Sequence, residues 1–106
     1  MKLQIILIIS LQLPVAAVVG NDACWSQIKR EQVPLFGSDV ACELSYCSYD
    51  AIASGYGGLG ISVGADDQRH LIKRFNWAKE QQHAGNSVLI NCVIGKSDFR
   101  DGSISV

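Results

Sequence analysis

Four consecutive residues, Gly20-Asn21-Asp22-Ala23, bring together groups that can hold a hard cation beside a phosphate. Asn21 offers a neutral amide oxygen and the backbone offers carbonyls. Magnesium accepts oxygen donors of this kind, and needs only a few from the protein when phosphates complete its octahedron. The turn follows an apolar run over residues 15–19 and precedes an amphipathic stretch. It therefore stands where a strand ends and a helix N-terminus presents free N–H groups to an anion. Open α/β sheets bind ligands at such places, beyond the carboxyl ends of their strands. The plainer reading is a helix cap, with Asp22 accepting from first-turn N–H groups.

Other residues of chemical character carry less. Gly55-Tyr56-Gly57-Gly58-Leu59-Gly60 has the letters of the dinucleotide fingerprint. A fingerprint follows a strand and opens a helix, whereas this stretch follows a helix and opens a strand. It reads as a tight turn that uses glycine's positive φ. His70 and His83 fall on or near the polar side of a helix with no nucleophile nearby, and Asp66 and Asp67 read as cap and first-turn charges. Cys24, Cys42, Cys47 and Cys92 form no C-x-x-C pair and, with the two histidines, no standard zinc spacing. Buried or partly buried free thiols account for them.

The elements that must position the turn can be read from periodicity. Residues 15–19 form a short β-branched apolar run, as expected of a parallel strand covered on both faces. A helix with Asp22 as its N-cap follows, carrying Trp25, Ile28 and Gln32 on one side and ending at Pro34. Gly37-Ser38-Asp39 then supplies turn chemistry. Ser48 caps a second helix from Tyr49 through Ile52 and Ala53, broken by Gly55 and its neighbours. Leu59, Ile61 and Val63 alternate as a strand that Gly64 ends. Asp66 or Asp67 caps a third helix whose apolar stripe is Leu71, Ile72, Phe75 and Ala78, stopping near Gly85. Residues 87–93 are the last strand, and residues 96–106 are a polar tail.

The order strand, helix, helix, strand, helix, strand predicts an α/β fold with a partial open, mostly parallel sheet and flanking helices. Three strands are few for such a sheet, so the chain reads as the C-terminal part of a larger domain. The first strand is expected to join the sheet in parallel, with Asn21 exposed at its carboxyl end.

At 106 residues and a net charge of -1, the chain is one domain at most, and nothing in it suggests a nucleic-acid partner. The N-terminus admits a second reading. Lys2, the apolar residues 3–9 and the small-residue exit at residues 16–20 have the form of a secretory signal peptide. Four cysteines beyond that exit would then suggest a small secreted, disulfide-bonded binding protein. Gln4, Ser10, Gln12 and Pro14 interrupt the run too often for a membrane span.

Three stretches, PVAAVVGNDACWSQIKREQVP, YDAIASGYGGLGISV and SVLINCVIGKSDFRDGSISV, resemble the C-terminal end of thiamine-diphosphate enzymes of the acetolactate synthase and 2-hydroxyacyl-CoA lyase family. They occur in the family's order and cover most of residues 14–106, which leaves residues 1–13 as an apolar leader outside the resemblance, signal-like or the mark of a truncation. In this family a Gly-Asp-Gly turn some two dozen residues before a terminal Asn joins it in holding magnesium on the cofactor diphosphate. The resemblance puts Asn21 at that terminal Asn and the Ala23 carbonyl at the backbone ligand two residues on, so that Asn21 and Ala23 contact metal. Gly20, where many relatives carry a first Asn, completes the cofactor-binding set of Gly20, Asn21 and Ala23. The Asp-bearing turn is absent from the sequence, as are the pyrimidine-binding domain and its Glu. The resemblance therefore implies thiamine diphosphate and magnesium as cofactors and 2-hydroxyacyl-CoA as substrate of the parent enzyme. It implies weak or absent cofactor binding, and no catalysis, for this chain alone. It further implies homo-oligomers, the endoplasmic reticulum membrane as location, and membrane association through the parent protein.

Overall fold

A computed structural model describes residues 7, 11 and 13–96. The polar tail beyond residue 96 and nearly all of the apolar leader lie outside the described residues. Three strands, β1 (Ala16–Asn21), β2 (Leu59–Val63) and β3 (Val88–Val93), form one sheet in the order β1-β3-β2. Both pairings are parallel. Val19 of β1 and Ser62 of β2 flank Asn91 of the central strand. The expected α/β architecture is therefore present, with its first strand parallel to the others.

The helices are α1 (Ser26–Phe36), α2 (Tyr49–Gly55) and α3 (Leu71–His83), the last preceded by a 3₁₀ turn over Ala65–His70. α2 and α3 cover opposite faces of the sheet. Alternate side chains of a strand point to opposite faces. Val88 and Ile90 accordingly join Val63 and Ala78 on the α3 face, with Leu59, Ile61, Leu71 and Trp77 packed around them. Leu89 joins Ala53 on the α2 face, with Val19 and Tyr49 against it. A central strand covered on both sides is apolar on both sides, which is why residues 87–93 read as a run rather than an alternation.

Several details depart from the sequence-based expectation, among them the outer face of β1, where Val18 is 55% exposed although the apolar run predicted cover on both faces. Asp22 is not the N-cap of α1: the helix begins at Ser26, and the residue before it, Trp25, makes no side-chain cap bond. Nor does Pro34 end α1, because the helix runs on to Phe36 and stops where Gly37 takes a left-handed φ of 66° and returns its N–H to the Val33 carbonyl. A proline removes one helical donor, and near the C-terminus the remaining turn tolerates that loss. Finally, the inward face of α3 is rotated from the expected stripe. Leu71, Trp77 and Ala78 meet the core, while Ile72 is 79% exposed. Arg74 pairs with Asp67 of the preceding 3₁₀ turn at 3.0 Å.

Among the glycines of residues 55–60, Gly57 takes a positive φ of 98°, as a tight turn requires. Gly60 serves a different purpose. A Cβ there would stand 2.0 Å from the Asp50 carbonyl oxygen, so α2 lies directly on β2 only because this position has no side chain. The fingerprint letters thus mark a turn and a close helix–strand contact.

Candidate functional site

β1 delivers Gly20 and Asn21 to the carboxyl edge of the sheet. Gly20 pairs with Cys92, and a Cβ on it would meet Ile94 Cδ1 at 3.5 Å, an ordinary contact, so a side chain would fit there. Asn21 is the last residue of β1, and its carbonyl accepts from the Ile94 N–H at 3.0 Å. Contrary to the expectation of exposure, Asn21 is buried, at 5% of its surface, and Ala23 is buried with it. The cover comes from residues 42–47, distant in sequence. There Leu44 donates its N–H to the Ala23 carbonyl at 2.8 Å, Trp25 donates to the Cys42 carbonyl, and Cys24 bridges Glu43 in antiparallel sense.

The amide of Asn21 has a fixed orientation. Its Nδ2 donates to the Cys47 carbonyl at 3.0 Å, which leaves Oδ1 turned back along the chain, where among the described residues it accepts only the Ala23 N–H at 3.3 Å. That is just beyond the usual range for such a bond. Ala23 adopts a left-handed φ of 55°, uncommon for a residue with a side chain, and this bends the backbone sharply after the strand. Asp22, between them, closes a local turn: one carboxylate oxygen accepts the Cys24 N–H at 3.2 Å and the other accepts the Ser26 hydroxyl. It stabilises the approach to α1 without being its cap.

Ions flank the turn and hold its cover in place. Lys29 of α1 reaches Glu43 at 2.7 Å and Asp39 at 3.1 Å, and Lys96 donates to the other oxygen of Glu43. Hydrogen bonds from Lys29 first and Lys96 second hold the Glu43 carboxyl down to about 2, and Glu43 with Asp39 pushes Lys29 up. The segment over Asn21 is thereby tied to α1 and to Lys96, three residues past the end of β3.

Hard oxygen donors of the right kind are therefore present at the turn. Asn21 Oδ1 keeps a lone pair beyond its one long contact, and the Ala23 carbonyl has one beyond its bond to Leu44. Both oxygens are neutral, and the carboxylate between them is committed to Cys24 and Ser26. The pair fits part of a magnesium coordination sphere and does not supply its charge, for which one or two carboxylates and phosphates are usual.

The other sequence candidates are not brought to this place. His70 lines a surface cavity of about 320 Å³ with Lys73, Arg74, Trp77 and Ile61, on the α3 face of the sheet, whereas Asn21 belongs to the α2 face. Asp67 accepts the Gly64 N–H at 3.0 Å, as a residue opening a helical segment does. The four cysteines are free thiols, and burial pushes the Cys92 thiol up, away from nucleophilic character. Among the described residues no cluster of three His, Cys, Asp or Glu side chains could hold a metal, and no helix is long and apolar enough to cross a membrane. Asn91 is the residue that sequence reasoning missed. It sits 2% exposed on β3 and donates to the Cys47 carbonyl at 3.2 Å and to Asp50 Oδ1 at 3.4 Å. A polar residue inside the apolar run of residues 88–93 was the signal that could have found it.

No protein-family profile matches the chain. Curated relatives do. Zebrafish (Danio rerio) 2-hydroxyacyl-CoA lyase 2 is 53% identical over 93 residues, 88% of this chain and 15% of the relative. The mouse (Mus musculus) and human (Homo sapiens) proteins of the same name are 47% and 46% identical over 95 residues, 90% of this chain and 15% of each relative. The chain thus spans about 15% of the length of the curated relatives it matches. Over that span the resemblance to the 2-hydroxyacyl-CoA lyases holds, and the chain is related to them by sequence.

Proposed function

We propose that this relative of the 2-hydroxyacyl-CoA lyases forms the C-terminal part of a thiamine-diphosphate-binding domain and supplies two neutral oxygens to its magnesium site. The orientation of the Asn21 amide carries the reading. With Nδ2 tied to Cys47, Oδ1 is left with a single long contact at the carboxyl end of a parallel strand, two residues before the left-handed Ala23. Asn21 Oδ1 and the Ala23 carbonyl would hold the metal, with Gly20 exposed at the strand end beside them.

When bound, thiamine diphosphate supplies a nucleophilic carbon and an electron sink for cleaving or forming a carbon–carbon bond in a 2-hydroxyacyl-CoA. The residues of this chain bind and orient. Asn21 presents an oxygen, Ala23 a carbonyl that also accepts the Leu44 N–H, and the segment over residues 42–47 covers both residues. The oxygens assigned to the metal are neutral amide and carbonyl oxygens, and no proton transfer is assigned to them.

The missing charge makes a direct test available. Titration calorimetry of the 106-residue chain with magnesium and thiamine diphosphate should give no micromolar binding, because two neutral donors hold magnesium weakly. Micromolar binding, or turnover of a 2-hydroxyacyl-CoA, would show that the site is complete without an added carboxylate. Homo-oligomerisation, an endoplasmic reticulum location and membrane association belong to the same proposal as properties of the parent protein.

A further inference from the structure

We infer that Asn91 is a positioning residue, which fixes the orientation of the Asn21 amide through the Cys47 carbonyl. The inference rests on the reading of Asn21 Oδ1 as a metal ligand only for its consequence, since the geometry itself lies within this chain.

Asn91 occupies the central strand, between Val19 and Ser62, where an apolar side chain would pack without polar cost. Its Oδ1 is buried and, among the described residues, has no hydrogen-bond partner. Burying an amide oxygen unpaired is unfavourable, so core stability does not account for the residue. What the amide does achieve is at its other end. Nδ2 donates to the Cys47 carbonyl at 3.2 Å and to Asp50 Oδ1 at 3.4 Å. Exchanging the amide's nitrogen and oxygen would set an oxygen against that carbonyl and that carboxylate, so the orientation is determined by its partners.

The Cys47 carbonyl is the junction. It accepts from the Tyr49 N–H at 3.0 Å, from Asn21 Nδ2 at 3.0 Å and from Asn91 Nδ2 at 3.2 Å, which joins the end of β1, the middle of β3 and the entry to α2. An amide group is planar, so anchoring Nδ2 of Asn21 sets the direction of its Oδ1. Asn91 holds the carbonyl, the carbonyl holds the Asn21 nitrogen, and the Asn21 oxygen is left facing the Ala23 side. Asp50, on the first turn of α2, completes the support, and the close contact of its backbone with Gly60 keeps it there.

Side-chain amide exchange in the full 106-residue chain tests this by nitrogen-15 NMR. In the wild type the Asn21 NH₂ pair should be resolved and protected, unlike that of a solvated asparagine. In Asn91→Leu the exchange of that pair should quicken about fivefold to tenfold, the change expected on weakening one hydrogen bond of roughly 1 kcal/mol. Protection of the Leu89 and Ile90 backbone amides reports the fold and should persist. Unchanged Asn21 exchange with those amides still protected would overturn the inference. If Asn91→Leu does not fold, Asp50→Ala removes the second anchor of Asn91 and should quicken Asn21 exchange to a smaller degree, and no change there would overturn it equally. Magnesium takes no part in the measurement, so its failure is separable from failure of the metal reading.

Discussion

Asn21 and Asp22 are neighbours with different tasks, and substitutions should separate them. Asp22 receives the Cys24 N–H and the Ser26 hydroxyl, so Asp22→Ala should cost roughly 1.5–3 kcal/mol of stability in urea denaturation, the range for lost hydrogen bonds to a charged group. The position of Asn21 at a strand end was legible from the β-branched run before it and the Gly-Asn pair. Its burial was not, because the cover is made by residues 42–47, some twenty positions away, and that stretch has no periodicity to announce a partner. Asn91 was marked by its polarity within the apolar run of residues 88–93, but its partners, Cys47 and Asp50, lie more than forty positions away and nothing local announces them. Glu43 gives a pH test at the same scale. Its folded carboxyl lies at about 2 against an ordinary 4.5, held down by Lys29 and then Lys96. A depressed carboxyl contributes stability that is present above 4.5 and is lost as pH falls from there toward about 2. All three side chains are substantially exposed, so the contribution is screened. Denaturation midpoints should fall between pH 5 and pH 3 more in the wild type than in Glu43→Gln, and the difference should shrink on adding salt.

Among the elements, α2 and β2 were read within their observed limits, because glycines and a short alternation bound them unambiguously. Their contact depends on Gly60, where any Cβ would strike the Asp50 carbonyl. Gly60→Ala should therefore destabilise by roughly 1–3 kcal/mol or more, seen as a lowered melting midpoint, since α2 must lift from the sheet to admit a methyl group. Gly55→Ala, with open space around its Cβ position, is the control for glycine loss by itself and should be far milder. α3 shows where periodicity falls short. Leu71 and Ala78 were placed inward, but Ile72 and Phe75 were placed with them and are exposed, while Trp77 packs against the core instead. Hydrophobicity alone did not decide their face. Of the side expected for α1, Trp25 precedes the helix and Ile28 lies within it; both are more than half exposed, and no residue of that helix is buried.

As a whole molecule the described chain is a sheet with two open edges, β1 and β2, and with apolar side chains such as Ile28, Leu35, Phe36 and Ile72 exposed on its helices. Its buried apolar residues are small or few: Ala23, Cys42, Ala53, Val63, Ala78, Val88, Leu89 and Ile90. Such a core gives marginal stability, and unpaired strand edges favour association, so sedimentation of the isolated chain should show self-association that grows with concentration. The α/β class and the parallel joining of β1 were legible because they follow from element order, whereas the edges could not be read from a stretch spanning 15% of its relatives. The central claim, that Asn21 is a metal ligand, is tested most directly in a complete homologous setting. Residues 14–106 would replace the matching segment of the zebrafish relative, and thiamine-diphosphate activation would be measured against magnesium concentration for the wild type, Asn21→Ala and Asp22→Ala. The account predicts that Asn21→Ala needs several-fold more magnesium, one oxygen of the metal's shell having gone, while Asp22→Ala keeps the wild-type dependence. Identical magnesium dependence in Asn21→Ala and the wild type would contradict it and leave the turn as a structural bend alone.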